Sequence, residues 1–226
     1  MRKALVAIAG LAVLLLVSAA AFADGNGNKG NSSFGVDPRH AGIGAFAGWA
    51  RDAGEPGQKG DPKQYGLHLL HLFPTTFDGP FAGTDNLLRN PIPAGSLTKL
   101  GFSISGRSGE AGVFVPGDPR HGYCTGGSPR FVVESSSGTC HLGCAHADSF
   151  TQDPATGWWD ISFVAPFAPA GGACPVEPSG TIEYMDITVD EGPDTSVTLD
   201  NILATIGGRT TVVGKPDEGR HNDNDD

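Results

Sequence analysis

Between Phe34 and Gly214 apolar residues almost never keep a helical period beyond two turns. They come in short runs, each closed by Gly, Pro, Asn or Asp. Runs of that length and punctuation are strands joined by turns. They cover Ala45–Arg51, Tyr65–Phe73, Phe81–Leu88, Leu97–Ser105, Gly112–Val115, Arg130–Ser135, Thr139–Cys144, Trp158–Val164, Thr181–Val189, Val197–Ala204 and Thr210–Val213. Tyr65–Phe73 (YGLHLLHLF) reads as a strand, with a short helix as the alternative. Arg130–Cys144 reads as a hairpin turning at Ser136-Ser137-Gly138. Many short antiparallel strands at this spacing predict an all-β fold, an antiparallel two-sheet β-sandwich of jelly-roll type. The 34 glycines and 17 prolines approach the level of disordered chains. Because aromatic and β-branched residues are grouped into runs, the reading is instead a globular domain with many turns.

The chain before that domain has a different grammar. Arg2 and Lys3 precede an apolar run from Ala4 to Val17, and Ala21-Phe22-Ala23 offers small residues at a cleavage site. This is the layout of a secretory signal peptide; an uncleaved anchor is the alternative. The expected organisation is a signal peptide over 1–23, a flexible leader over 24–33, the sandwich over 34–214 and an acidic disordered tail over 215–226. Export would make the protein extracellular, with no membrane contact after cleavage. With the two bases of the signal peptide removed, 13 Lys+Arg face 25 Asp+Glu, a formal charge of −12. Nucleic acid and anionic membranes need clustered cations, so they are excluded as partners.

Four cysteines, Cys124, Cys140, Cys144 and Cys174, are an even set in an exported chain and are expected as two disulfides. Cys140 and Cys144 share strand parity, too far apart on one strand to pair with each other. Of the three connectivities, Cys124–Cys144 with Cys140–Cys174 is favoured, because it closes the loop before the hairpin and ties the hairpin to the later Gly/Pro loop. The competing reading is a zinc site drawing on His121, His141 and His146. GEPGQKGDP at 54–62 imitates collagen triplets but is too short for a triple helix and is read as a loop. Asp-Pro-Arg-His occurs at Asp37–His40 and again at Asp118–His121, with no wider repeat around it.

Acidic side chains gather at Asp186, Asp190, Glu191, Asp194 and Asp200. Several hard oxygens near one turn suit Ca²⁺, so Asp190, Asp194 and Asp200 are the candidate ligands of a structural calcium; a solvated turn is the alternative. Nucleophile motifs G-x-S-x-G and H-E-x-x-H are absent. Ser96-Leu-Thr-Lys99 matches S-x-x-K without the other motifs of that class. His68 and His71 fall on opposite faces of a strand. No catalytic residue is assigned. In WWDISFVA, parity puts Trp159, Ile161 and Phe163 in the core and Trp158 outside, where it would form a platform for a sugar ring joined by Trp49 and Tyr123.

The stretch CTGGSPRFVVESSSGTCHLGC, then a Trp-bearing strand, then ITVDEGPDTSVTLDNI, resembles secreted bacterial β-sandwich proteins of unassigned function. VTLDNI is similar to the last strand of jelly-roll carbohydrate-binding modules. The resemblance spans Tyr65 to Ala204. It implies a structural calcium, on Asp190, Asp194 or Asp200, and ligand contact through exposed aromatics on a sheet face. The expected function is a secreted, non-enzymatic binding or surface/matrix protein whose partner is an extracellular glycan or cell-surface component. The alternatives are a glycoside hydrolase-like enzyme with a carboxylate pair and a purely structural extracellular protein.

Overall fold

The computed structural model describes residues 33–42, 44–58, 61–71, 81–105, 128–144, 147–167, 180–190 and 195–216. The signal peptide, most of the leader, the acidic tail beyond Pro216, Gly112–Val115, Tyr123, Cys124, Cys174, Asp194, His121 and His146 lie outside them. Among the described residues the strands are β1 (Pro38–Ala41), β2 (Ala45–Ala50), β3 (Gly66–His71), β4 (Phe81–Thr84), β5 (Ile92–Pro93), β6 (Leu97–Ile104), β7 (Arg130–Ser135), β8 (Gly138–Gly143), β9 (Ser149–Gln152), β10 (Trp159–Val164), β11 (Thr181–Val189), β12 (Thr195–Ile206) and β13 (Arg209–Val213). A single 3-10 turn, Ala94–Ser96, leads into β6.

Among the described residues every ladder is antiparallel. One sheet runs β1-β4-β11-β7-β8, with β5 also beside β11. The other runs β2-β3-β12-β6-β10-β9, with β13 also beside β12. The two pack face to face as an antiparallel two-sheet β-sandwich. Alternation decides which side faces in. Leu100, Phe102 and Ile104 of β6, Ile161 and Phe163 of β10, Phe131 and Val133 of β7, and Met185 and Ile187 of β11 are all buried. Phe102 and Phe163 from one sheet meet Phe131 from the other at centroid distances of 5.6 and 5.9 Å, the second edge-on. Aromatic pairs prefer such tilted contacts, and here they join the sheets at their middle.

Both long strands change partner on one side partway along. On β11, β5 covers Thr181–Ile182 and β4 covers Thr188–Val189. Asn86 fills the gap between them: its Oδ1 accepts from the Met185 and Leu88 amides, and its Nδ2 donates to the Glu183 carbonyl. On β12, β3 covers Thr195–Leu199 and β13 covers Ile202–Ile206. At that seam the pairing with β6 shifts, and Asn201 takes φ 47°. The extra residue restores parity: Val197 and Leu199 point inward before it, Ile202 and Ala204 after it. Asn tolerates the left-handed region better than a branched residue would.

The hairpin β7–β8 turns at Ser136 and Ser137, with Gly138 at φ 135° opposite Ser135. Tyr65–Phe73 forms a strand over Gly66–His71, not a helix. Cys140 and Cys144 are buried, and neither is a free thiol; both are disulfide-bonded.

Candidate functional site

Phe46 stands on the outer face of β2 and is 46% exposed, the one large aromatic hydrocarbon side chain so exposed among the described residues. Its position follows from parity. Ala45, Ala47 and Trp49 pack toward the core, which leaves Phe46 and Gly48 outside. A Cβ built on Gly48 would lie 2.8 Å from Phe46 Cζ. The tip of the ring therefore lies over the bare glycine, and the side chain stays about half exposed. Gly48 pairs with His68 of β3, which pairs with Thr198 of β12. His68 Nδ1 lies 3.2 Å from Thr198 Oγ1, and burial lowers the pKa of its imidazole. The His68 ring centroid is 6.2 Å from that of Phe46. On the other side His40, exposed on β1, is 6.0 Å away. The patch thus joins β2 and β3 of one sheet to β1 of the other, at the turn where the chain crosses between them.

The aromatics expected to form the platform are placed elsewhere. Trp158 is only 6% exposed, so it is not an open stacking surface. Parity failed there because β10 begins at Trp159; Trp158 belongs to the β9–β10 connection, where its carbonyl accepts the Asp153 amide and Thr156 bonds its own amide. Trp49 is turned inward against the core, and its Nε1 is buried without a hydrogen-bond partner. Tyr123 lies outside the described residues. Ile161 and Phe163 are core residues and Trp159 packs against them. Sequence reasoning passed over Phe46. The available signal was the alternation Phe46-Ala47-Gly48-Trp49, which puts the phenyl ring and the glycine on one face.

The carboxylates expected to share a calcium are likewise apart. Asp190, past the end of β11, forms an ion pair with Arg130 and accepts from Ser128 Oγ at 3.4 Å. Asp200 sits in the opposite sheet at the β12 seam, 1% exposed. Its two oxygens accept the amides of Glu55 (2.8 Å) and Asn201 (2.6 Å). Glu55, also buried, accepts from Gln58 and Asn201 side chains at 2.9 and 2.8 Å. Asn201 donates again to Ser103, which donates to Asp160 at 2.6 Å. Gly54 and Gly214 approach Asp200 so closely that a Cβ would come within 2.8 and 2.7 Å of its oxygens. This network fastens Glu55 and Gln58 to β12. Burial pushes the Asp200 carboxyl up to about 7, against the two amides that favour its charged form; the Glu55 and Asp61 charges raise it further. Burial, with the Asp160 charge, also raises Glu55. Among the described residues no three His, Cys, Asp or Glu side chains converge as metal ligands. Asp190 and Asp200 do not form one calcium cradle.

A second polar row crosses the outer face of the other sheet. Tyr184 and Asp186 of β11 stand beside Arg130, Val132 and Glu134 of β7. Tyr184 donates its hydroxyl to Asp186 Oδ2 at 3.2 Å, while Asp186 Oδ1 is buried with no hydrogen-bond partner. Burial, reinforced by Glu134 and Asp190, pushes Asp186 up to about 6 despite the Tyr184 bond and Arg130. Burial and the Asp186 charge push Tyr184 up to about 12.

Comparison with known protein families, curated proteins and solved structures finds no match to this chain.

Proposed function

We propose that this is a secreted, non-enzymatic binding protein whose ligand is an extracellular glycan. The observation that carries the reading is Phe46, a half-exposed aromatic ring whose tip lies over Gly48 and which has two imidazoles, His40 and His68, about 6 Å away. A pyranose presents a face of C–H groups that stacks on such a ring, while its hydroxyls reach flanking polar atoms. The signal-like leader and the acidic mature chain support an extracellular setting. A glycan array tests the reading. Wild-type protein should bind a defined subset of sugars and Phe46→Ala should lose them; wild-type protein that binds none defeats it.

A second reading, hydrolysis by a carboxylate pair, draws on Asp186 and Glu134. They are diagonal neighbours across β11 and β7, since Asp186 faces Val132 and Glu134 faces Tyr184. Such positions have backbones about 7–8 Å apart, which puts both carboxyls on one outer face, and the raised one suits a general acid. Release of reducing ends from polysaccharide, lost in both Asp186→Asn and Glu134→Gln, would replace the binding reading with this one.

A further inference from the structure

We infer that the Phe46 patch takes uncharged sugars and rejects uronic and sulfated ones. The inference rests on the glycan-binding reading and names the ligand class for that same site.

The cations closest to the patch in sequence are turned away from it. Arg39 precedes His40 on β1, so its side chain leaves the opposite face of the strand. There it pairs with Asp85 at 3.5 Å. Arg51 follows the last residue of β2, but its guanidinium lies over the Tyr65 ring and its Nε donates to the Tyr65 hydroxyl at 3.1 Å. Lys63 is stacked on the same ring. Among the described residues, the strand neighbours and ring contacts of Phe46 on this face are Gly48, Leu70, Ser196, Thr198 and two imidazoles. His68 lies 3.2 Å from Thr198 Oγ1, and its burial favours the neutral imidazole. At pH 8 imidazole side chains in general carry no charge. A carboxylate or sulfate arriving here finds no partner for its charge among the described residues, and it must approach a chain of formal charge −10. A neutral sugar meets neither penalty. It gains ring contact with Phe46 and hydrogen bonds to imidazole nitrogen, which accepts from a hydroxyl as readily as it donates.

Affinity electrophoresis of the mature protein at pH 8 tests this. The gels would contain soluble β-glucan, xylan or galactomannan as neutral polymers, and alginate or heparin as anionic ones. The expected result is retardation by at least one neutral polymer and by neither anionic one. Phe46→Ala should weaken the neutral interaction about tenfold, and Phe46→Trp should keep it. His40→Arg changes an exposed position on a short edge strand and should not disturb folding. It should make alginate binding at least roughly fivefold tighter, because it places a fixed cation beside the ring. Circular dichroism and melting curves show whether each variant is folded. Wild-type binding to alginate or heparin as tight as to the neutral polymers overturns the inference and leaves glycan binding standing. So does neutral binding that survives Phe46→Ala, or a folded His40→Arg protein that gains nothing for alginate. If no polymer retards the wild type, the glycan reading itself fails.

Discussion

Glycine at position 48 does for Phe46 what no other residue does, because any β-carbon there meets the end of the phenyl ring. The colliding atom is the tip of a half-exposed side chain and not backbone, so the strand has little at stake. Gly48→Ala should therefore leave the melting temperature within a few degrees of wild type while lifting the ring off the sheet. Glycan affinity should fall several-fold, approaching that of Phe46→Ala. A Gly48→Ala protein with unchanged affinity would show that the seating of the ring is irrelevant. Asp200 is the opposite kind of residue, with little solvent contact and much at stake. Its carboxyl titrates near 7 in the folded chain against an ordinary 3.8. The folded state therefore holds a proton that the unfolded state releases first. Stability at this residue is fully present below about pH 4 and drains away as the pH rises toward 7. The loss is of order 3–4 kcal/mol. Asp186, raised to about 6, acts in the same direction. Denaturant titrations should find the protein more stable at pH 5 than at pH 8. Asp200→Asn should flatten much of that slope, even though it gives up one amide acceptor at about 1 kcal/mol. An equal slope in the variant would place the proton elsewhere.

At the level of elements, β12 is held together by its irregularity. Without the extra residue at Asn201, Ile202 and Ala204 would point to solvent. Asn201→Val puts a branched side chain at φ 47° and removes the bonds to Glu55 and Ser103; it should cost about 2–4 kcal/mol in chemical unfolding. Asn201→Gly relaxes the backbone and loses only the bonds, so it should cost clearly less. If the two variants are equally destabilised, the backbone conformation is not the issue. Nothing in VTLDNILA announced the bulge, which follows from β12 exchanging β3 for β13, a fact of tertiary pairing. Strands with a strong alternation of their own were legible: Arg130–Ser135 and Thr181–Val189 run between the residues the pattern indicated. β1, β5 and β9 were not, because PRHA, IP and SFTQ carry almost no apolar signal and exist through a neighbour's ladder. The site was half legible. Parity placed Ile161 and Phe163 correctly and would have exposed Phe46. It misled at Trp158 because that residue precedes β10 and lies outside any strand. Asp190 and Asp200 look like parts of one acidic turn in sequence, yet Asp190 follows β11 of one sheet and Asp200 lies on β12 of the other.

At the scale of the whole molecule, the sandwich differs between its middle and its margin. The middle is stiff, where Phe102, Phe131 and Phe163 interlock across the sheets and the seams on β11 and β12 are closed by Asn86 and by the Asp200–Glu55 network. At the margin β1 and β2 belong to opposite sheets and touch through the His40 and Phe46 rings. His40 rides on one sheet and Phe46 on the other. If one sheet slides over its neighbour, the gap between imidazole and phenyl changes before anything in the interior does. The pair works as a strain gauge set into the side of the protein. A fluorine label on the Phe46 ring would report shear between the sheets, and a molecule gripping both residues would lock the sandwich in the way a clip holds two leaves.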